Sequence, residues 1–150
     1  MTTSTHEQIM AGGLAIRPRI EPAESGGAVA IHEFDVPAGM SLPVPHSHDA
    51  YDETIYGVRG TVTFTVEGTA HDIEPGETLF IARGAIHAFA NTGAIDATAL
   101  AIISPGLLSA DYFHEMAAII DAAGGGPPDL AAIGDVMRRH GLTPVSPNAA

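Results

Sequence analysis

Short apolar runs separated by turns occupy most of residues 14–104. In the segment TVTFTV, from Thr61 to Val66, apolar and polar residues alternate strictly, so alternate side chains lie on opposite faces of a half-buried strand. Runs of this kind recur at intervals of roughly 8–12 residues, which is typical of an antiparallel sandwich or barrel. The predicted strands are 14–20, 28–36, 44–48, 53–59, 61–66, 69–73, 77–82, 86–91 and 97–104.

Two tight turns punctuate the second half of this region. The pair Glu67-Gly68 joins two of the predicted strands and suits a two-residue hairpin turn. The segment Glu74-Pro75-Gly76-Glu77 places proline and glycine at the positions that a type II turn requires.

The hydrophobic period changes after Ser104 to the spacing of an α-helix. We predict a first helix over 109–123, with Ser109 as its N-cap, and a second helix over about 128–140. Three glycines at 124–126 separate the helices, and prolines open the second one. This helical hairpin must pack on the barrel or on a second subunit. Its apolar stripes are Tyr112, Phe113, Met116, Ile119 and Ile120 on the first helix and Leu130, Ile133, Val136 and Met137 on the second.

The composition indicates a folded globular protein. Of the 150 residues, 45% are apolar and only 16% are charged, whereas a disordered chain would be poorer in apolar side chains and richer in charge. The length suits one domain. We therefore predict a single domain over 1–150, with a barrel over about 14–104 followed by the two helices.

The net charge and the missing residue types exclude several functions. The formal charge of −12 repels phosphate backbones and anionic lipid headgroups, so we expect neither nucleic acid nor a membrane as a partner. The chain has no lysine and no cysteine, which excludes Schiff-base chemistry and thiolate nucleophiles or metal ligands. The N-terminal segment has no signal-peptide pattern and no apolar run approaches the ~18 residues of a membrane span, which favours a cytoplasmic location.

One polar segment, PHSHDAYDET at 45–54, contains two histidines, two aspartates and a glutamate, which are side chains that can bind a metal ion. On a strand, His46 and His48 point to the same face and are close enough to share one cation. Glu53 opens the next predicted strand, and the intervening loop lets that strand return beside the first and bring its carboxylate to the same cation. Asp52 is an alternative ligand in place of Glu53.

A fourth ligand could come from His87, which shares a strand face with Phe89 and Asn91. Only a closed fold would bring His87 near the other three groups. A single histidine in a β protein is more often a surface or hydrogen-bonded residue than a ligand. The remaining histidines are therefore assigned to surface or structural positions: His6, His32, His71, His114 and His140.

Two segments resemble the sequence motifs of the cupin family. The segment GMSLPVPHSHDAYDETIYGVRG, at 39–60, resembles the first motif, with Gly, a short spacer, His-x-His, Glu and Gly in order. The segment GETLFIARGAIHAFAN, at 76–91, is similar to the second motif, including the glycine before the histidine. The departures are Ala82, where the family usually has proline, and a first spacer that is one residue longer than the commonest form.

The resemblance covers about 30–104 by motif and, more loosely, the whole chain, since small quercetinase-like cupins often end in a similar helical tail. It implies an all-β double-stranded β-helix, or jelly-roll barrel, with the two motifs facing each other across the cavity and a C-terminal helical hairpin. Three imidazoles and one carboxylate suit a divalent transition metal such as Fe, Mn, Ni, Cu or Zn. The implied ligand set is His46, His48, Glu53 and His87.

The surroundings of such an ion predict the class of substrate. We expect Ile55, Phe64 and Phe89 to face inward and line a substrate pocket. Arg59 and Arg83 are the few cationic groups that the barrel could use. The cavity should therefore be largely apolar and favour an aromatic or enolic small molecule over a sugar phosphate.

The leading functional hypothesis is a quercetinase-like dioxygenase in which Glu53 takes the substrate proton as a general base. Two alternatives remain open. One is a non-oxidative isomerase or lyase that uses the ion as a Lewis acid, and the other is a barrel that binds a small molecule without catalysis. Exposed strand edges and the amphipathic tail also predict a homodimer.

Overall fold

Two antiparallel β-sheets form the body of the protein. The computed structural model describes residues 5–42 and 44–146. All strand pairs within these ranges are antiparallel. The sheets pack face to face, and the rings of Phe34 and Phe89 meet between them at a centroid distance of 6.0 Å. The arrangement is the predicted double-stranded β-helix, or jelly roll.

The strands divide between the two sheets in an order that differs from their order in the chain. Along the chain they are β1 (Ile9–Ala11), β2 (Leu14–Ile20), β3 (Ala30–Val36), β4 (His46–His48), β5 (Asp52–Arg59), β6 (Val62–Val66), β7 (Thr69–Ile73), β8 (Thr78–Ile81), β9 (His87–Ala90), β10 (Ala97–Ser104) and β11 (Leu142–Pro144). The first sheet has the order β1-β2-β3-β10-β5-β8, and the second has the order β11-β4-β9-β6-β7. The consecutive strands β4 and β5 therefore belong to opposite sheets.

All nine predicted strands are present, and none of their ends is displaced by more than two residues. Strands β1 and β11 lie outside the predicted barrel region of about 14–104 and extend the two sheets. Each of these strands has only three residues, too few for an alternating pattern to be recognised. They form by pairing with β2 and β4, respectively, which is a tertiary effect.

Strand β3 demonstrates how charged residues select the outer face of a sheet. Its sequence is AIHEFDV, and every second residue from Ala30 onward is buried. Glu33 and Asp35 lie on the opposite face, where the guanidinium of Arg17 on β2 donates hydrogen bonds to both. The Arg17 hydrogen bonds hold the pKa of Asp35 at about 2. Because side chains alternate along the strand, His32, which precedes Glu33, lies on the inner face.

Both predicted turns are confirmed. Glu67 and Gly68 have positive φ angles of 48° and 79°, as a type I′ hairpin turn requires at both central positions. At the second turn, Gly76 has a φ of 86°, and the amide of Glu77 donates to the carbonyl oxygen of Glu74 at 3.0 Å. That combination is a type II turn.

The helical hairpin lies on the barrel. Helix α1 spans Ala110–Ala122 and helix α2 spans Leu130–Arg139. Ser109 and Asp129 cap these helices by accepting hydrogen bonds from backbone amides of the first turn. Helix α1 packs against β1, and α2 packs against β11. Within the described ranges, neither helix is long and apolar enough to cross a membrane.

The apolar stripes of the two helices are buried or partly buried, with one exception. Tyr112 and Phe113 of α1 and Ile133 and Val136 of α2 enter the hydrophobic core. Leu130 was predicted to belong to the second stripe but is 53% exposed. The reason is that α2 begins at this residue, and its buried face starts one turn later.

Gly57 of β5 is a sensitive position of the scaffold. A Cβ atom there would lie 2.1 Å from the carbonyl oxygen of Glu74 in the type II turn. We predict that Gly57→Ala lowers the free energy of unfolding by about 3 kcal/mol, measured by denaturant titration. The control is Gly13→Ala, whose Cβ would come no closer than 3.4 Å to the ring of Pro37, and for which a change below about 1 kcal/mol is expected. Equal effects of the two substitutions would contradict this packing.

Candidate metal centre

Three histidines converge between the two sheets. His46 and His48 are the buried residues of β4, and His87 on the adjacent strand β9 is the cross-strand partner of His46. One ligand nitrogen from each residue can be chosen so that all three lie within 4.8 Å of one another. The alternation of residues on β4 and the register between β4 and β9 thus create a group that could hold a metal ion.

Glu53 reaches the same point from the opposite sheet. Its Oε2 atom lies 3.1 Å from Nε2 of His87 and 3.7 Å from Nε2 of His48. Two ligand atoms that each lie about 2.1 Å from one ion are roughly 3.0–3.4 Å apart, so the carboxylate needs little rearrangement to share an ion with the imidazoles. The carboxylate and the three histidines are buried together.

The relative positions of these strands differ from the sequence-based expectation. The strand of Glu53 was expected to return beside the strand of His46, but β5 and β4 face each other from different sheets. The second motif was expected to face the first across the cavity, yet its histidine, His87, is a direct neighbour of His46. The chain crosses between the sheets after Asp49, a step that strand alternation does not reveal.

Backbone carbonyl groups orient two of the imidazoles. Nδ1 of His87 lies 2.9 Å from the carbonyl oxygen of Ala85, and Nδ1 of His46 lies 3.3 Å from that of Val44. A carbonyl oxygen only accepts hydrogen bonds, so each Nδ1 carries the proton and each Nε2 is left with a lone pair for a ligand interaction. Such outer contacts are the usual means of fixing a metal-binding histidine.

The ring of Tyr51 supports the third imidazole. It stacks on His48 at a centroid distance of 4.6 Å and an interplanar angle of 28°. Tyr51 is almost completely buried, and burial is the main cause that raises the pKa of its phenol well above the usual value. The neutral ring of Tyr51 therefore packs against the imidazole of His48 and limits the rotation of that imidazole.

Burial and mutual charge set the protonation of the four groups. Burial alone would raise the pKa of Glu53, but the hydrogen bond from His87 and the charges of the imidazoles lower it to about 2. Burial, followed by the charges of the other histidines, lowers the pKa of His46 to about 3, and burial lowers that of His48. For His87, the hydrogen bond and charge of Glu53 outweigh burial and raise the pKa. The carboxylate of Glu53 is thus ionised beside the imidazoles, and a divalent ion would compete with protons for these four groups.

The turn before His87 is well defined although it has Ala82 in place of proline. The amide of Ala85 donates to the carbonyl oxygen of Ala82 at 3.1 Å, and Gly84 has the positive φ of 83° that a type II turn needs. The amide of Gly84 also donates to the carbonyl oxygen of His48 at 2.8 Å. This bond ties the turn directly to the strand that bears the first two histidines.

Asp52, Arg83 and Arg59 lie outside the centre. Asp52 accepts hydrogen bonds from the backbone amide of Arg83 at 2.9 Å and from its guanidinium at 3.2 Å. The carboxylate of this alternative ligand therefore binds the turn that contains Arg83. Arg59 is the exposed last residue of β5. Neither of these arginines lines the cavity, although they are the few cationic groups that the barrel could have used.

An apolar cavity of about 110 Å³ adjoins the centre. His46, His48 and Glu53 lie on its wall, and most of the remaining wall consists of aliphatic and aromatic side chains. The cavity is slightly smaller than the ~150 Å³ engineered cavity that accepts benzene. A molecule of about one ring would fit in this space and touch the polar groups at its end.

The predicted pocket residues have different positions relative to this cavity. Phe89 lines the cavity. Ile55 and Phe64 are buried in the hydrophobic core and are not part of the cavity wall. Phe64 instead stacks behind Phe89 at a centroid distance of 5.2 Å, which supports the wall from outside.

His32 is the site residue that the sequence reasoning missed. It was assigned to a surface or structural position, but it has no exposed surface and lines the same cavity as the metal centre. The signal was local, because Glu33 and Asp35 on either side of Phe34 mark the outer face of the strand. The other histidines of that group lie outside the centre: His6, His71, His114 and His140.

Comparison with protein families agrees with this architecture. Residues 32–103 match the family model of the cupin domain. These residues form a cupin domain. The matched segment includes His32 and all four residues of the candidate metal centre. No protein of curated function matches the sequence.

Solved structures of other cupins share the fold. A predicted oxalate decarboxylase from Thermotoga maritima is 27% identical, with a TM-score of 0.59, and the match covers 69% of this chain and 98% of that one. The polyketide cyclase RemF from Streptomyces resistomycificus is 23% identical, with a TM-score of 0.60 and coverages of 70% and 80%. KdgF from Halomonas sp. is 18% identical, with a TM-score of 0.58 and coverages of 67% and 88%. The names of these proteins indicate different reactions, so the shared fold does not assign a reaction to this chain.

The histidine pair of β4 provides a direct test of the metal centre. We predict that the variant with His46→Ala and His48→Ala loses stoichiometric metal, measured by elemental analysis after loading and dialysis, because two of the converging nitrogens are gone. The control changes His71 and His114 to Ala, which removes two imidazoles outside the centre. Circular dichroism checks that both variants are folded. Equal metal loss in the two variants would refute the assignment.

Proposed function

We propose that this cupin binds one divalent transition metal ion and is an oxygenase for a small enolic or aromatic molecule. The observation that supports this best is that three of the four candidate ligands, His46, His48 and Glu53, lie on the wall of an apolar cavity. A molecule in the cavity would lie directly beside the ion. The proposed ligands are His46, His48, Glu53 and His87.

The donor atoms suit several metals. Three imidazole nitrogens and one carboxylate oxygen, with no thiolate in the chain, fit Fe, Mn, Ni, Cu or Zn. When bound, such an ion acts as a Lewis acid that favours the enolate form of a coordinated oxygen. His46, His48, Glu53 and His87 would hold such an ion, and a small molecule in the cavity could supply a further ligand.

Glu53 is the proposed general base. It is ionised and directed at the point where the imidazoles meet, so it can accept a proton from a molecule bound there. With a pKa of about 2, the carboxylate is a weak base toward an ordinary enol. Proton transfer to it becomes favourable only when the enol itself is made more acidic, which is consistent with an ion held beside Glu53.

The cavity limits the class of substrate. No arginine contributes to its wall, and the chain contains no lysine, so a phosphate group would have no cationic partner there. Aliphatic and aromatic walls favour an apolar ring and exclude the water that would compete for an enolate. A cavity of about 110 Å³ favours a molecule of about one ring over a three-ring flavonol.

A non-oxidative lyase or isomerase is the second candidate. It is supported by two structural neighbours, a polyketide cyclase and a predicted oxalate decarboxylase, whose names indicate non-oxidative reactions. Such a reaction would use the same enolate chemistry but consume no dioxygen.

Oxygen uptake distinguishes the two candidates. We predict uptake when the Fe-, Mn-, Ni- or Cu-loaded protein is given enolised 1,3-diketones or catechols, and less with flavonols, measured with an oxygen electrode. Because Glu53→Gln removes the base, it should lower kcat by at least about 100-fold, whereas the exposed control Glu74→Gln should leave kcat unchanged. Turnover under argon, without uptake across the panel, would instead support the lyase.

We also propose that the protein is a homodimer. Strand β8 lies at an edge of the six-stranded sheet, and three apolar side chains are exposed on the outer face of β5 and β8. These are Tyr56, Val58 and Phe80, with exposed fractions of 39%, 42% and 63%. An apolar patch beside an unpaired strand edge is a suitable surface for a second copy.

This dimer has a simple test. We predict that Phe80→Asp converts the protein from dimer to monomer in size-exclusion chromatography with light scattering, because a charge replaces the most exposed residue of the patch. The control Leu130→Asp changes a similarly exposed apolar residue on α2 and should leave the dimer intact. A monomeric wild type, or a dimeric Phe80→Asp variant, would contradict the proposal.

A further inference from the structure

The cavity contains a second polar group, apart from the metal centre. His32 lies on the inner face of β3, is completely buried, and lines the cavity wall. Its ring packs edge-on against Phe113 of α1, with a centroid distance of 4.8 Å and an interplanar angle of 71°. The imidazole is therefore held in one position between the sheet and the helix.

The hydrogen bonds of His32 define its tautomer. Nε2 lies 2.9 Å from the carbonyl oxygen of Leu108, which can only accept a hydrogen bond, so Nε2 carries the proton. Burial lowers the pKa of His32, which keeps the imidazole neutral. Nδ1 is therefore a bare acceptor, and no group in residues 5–42 or 44–146 donates a hydrogen bond to it.

An unpaired acceptor at this depth is unusual. Buried polar atoms in proteins nearly always have a hydrogen-bond partner, and leaving one unpaired is energetically costly. Among the described residues, His32 Nδ1 shares this condition only with the hydroxyl of Tyr51, which is behind His48 and not on the cavity wall. His32 is thus the unpaired acceptor in contact with the space where a ligand would bind.

The register of the sheet relates His32 to the metal centre. His32 is paired with Ala101 on β10, and Ala101 is paired with Ile55 on β5. Glu53 is the next residue along β5 that faces the same side. Two strand spacings, or roughly 9–10 Å, therefore separate the backbones of His32 and Ile55. Between them, Ala101 contributes only a methyl group to the cavity wall.

We propose that Nδ1 of His32 accepts a hydrogen bond from a hydroxyl group of the bound molecule. The ligand class is a small ring with one oxygen at the metal centre and a second, hydroxyl-bearing position on the side of the ring that faces His32. The first contact rests on the proposed function, whereas the hydrogen bond to His32 requires no metal. His32 is then a specificity-determining residue, because a ring without the hydroxyl leaves the acceptor unpaired.

Binding of simple probes to the metal-free protein tests this contact separately from catalysis. Phenol and toluene have nearly the same size and differ by a hydroxyl in place of a methyl group. We expect the preference for phenol over toluene, measured by calorimetry as the ratio of the two Kd values, to fall about 10-fold in His32→Phe. The control His114→Phe makes the same change at an exposed imidazole outside the cavity and should retain the preference, and Glu53→Gln tests whether that carboxylate is the acceptor instead.

A spectroscopic measurement on the wild type avoids any effect of substitution on folding. In the metal-free, nitrogen-15-labelled protein, saturating phenol should shift the Nδ1 resonance of His32 to lower frequency, as expected for an acceptor that gains a hydrogen bond. Toluene should leave this resonance unchanged.

Several results would overturn the proposal. These are a phenol preference that is unaffected by His32→Phe, a preference that depends on Glu53 instead, an Nδ1 resonance that phenol does not move, or no phenol binding. Failure of the proposed oxygenase would look different, since metal loading or oxygen uptake would fail while the metal-free phenol results remained.

Discussion

The register between β4 and β9 is the constraint on which the rest of the site depends. It places His46 opposite His87, and strand alternation then adds His48 on the same face. Four ionisable side chains in an otherwise apolar interior would be costly if they were separate, because each charge would lack a partner. Brought together, the three imidazoles and the carboxylate of Glu53 contact one another, and the imidazoles offer a divalent ion a set of converging donors.

The scaffold holds this register at several independent points. The turn before β9 is closed by its own hydrogen bond and is tied to the carbonyl oxygen of His48 through Gly84. Asp52 and Arg83 fasten the same turn to the start of β5, the strand that bears Glu53. A site assembled from two sheets is thus connected by the loops at its rim. This explains why acidic and basic residues beside the ligands have structural roles.

The apolar cavity sets the dielectric environment of the candidate metal centre. An ion surrounded by water would interact weakly with a substrate oxygen, whereas an ion at the end of an apolar chamber interacts through a medium of low dielectric constant. The chamber is formed jointly by both sheets and by helix α1, so the C-terminal hairpin contributes to the site as well as to the core. His32 introduces one fixed acceptor into this chamber, and its direction is determined by Leu108 and Phe113.

The sequence by itself determined the local features of this protein: the main strands, both tight turns, the helix N-caps and the spacing of the histidines and Glu53. Each depends on residues within a few positions of one another, where alternation, capping and turn chemistry act. Only the tertiary structure decided that β5 faces β4, that β1 and β11 join the sheets, and that Arg59 and Arg83 remain outside. Alternation identifies the residues that share a face, but the sheet that a strand joins depends on contacts between distant parts of the chain.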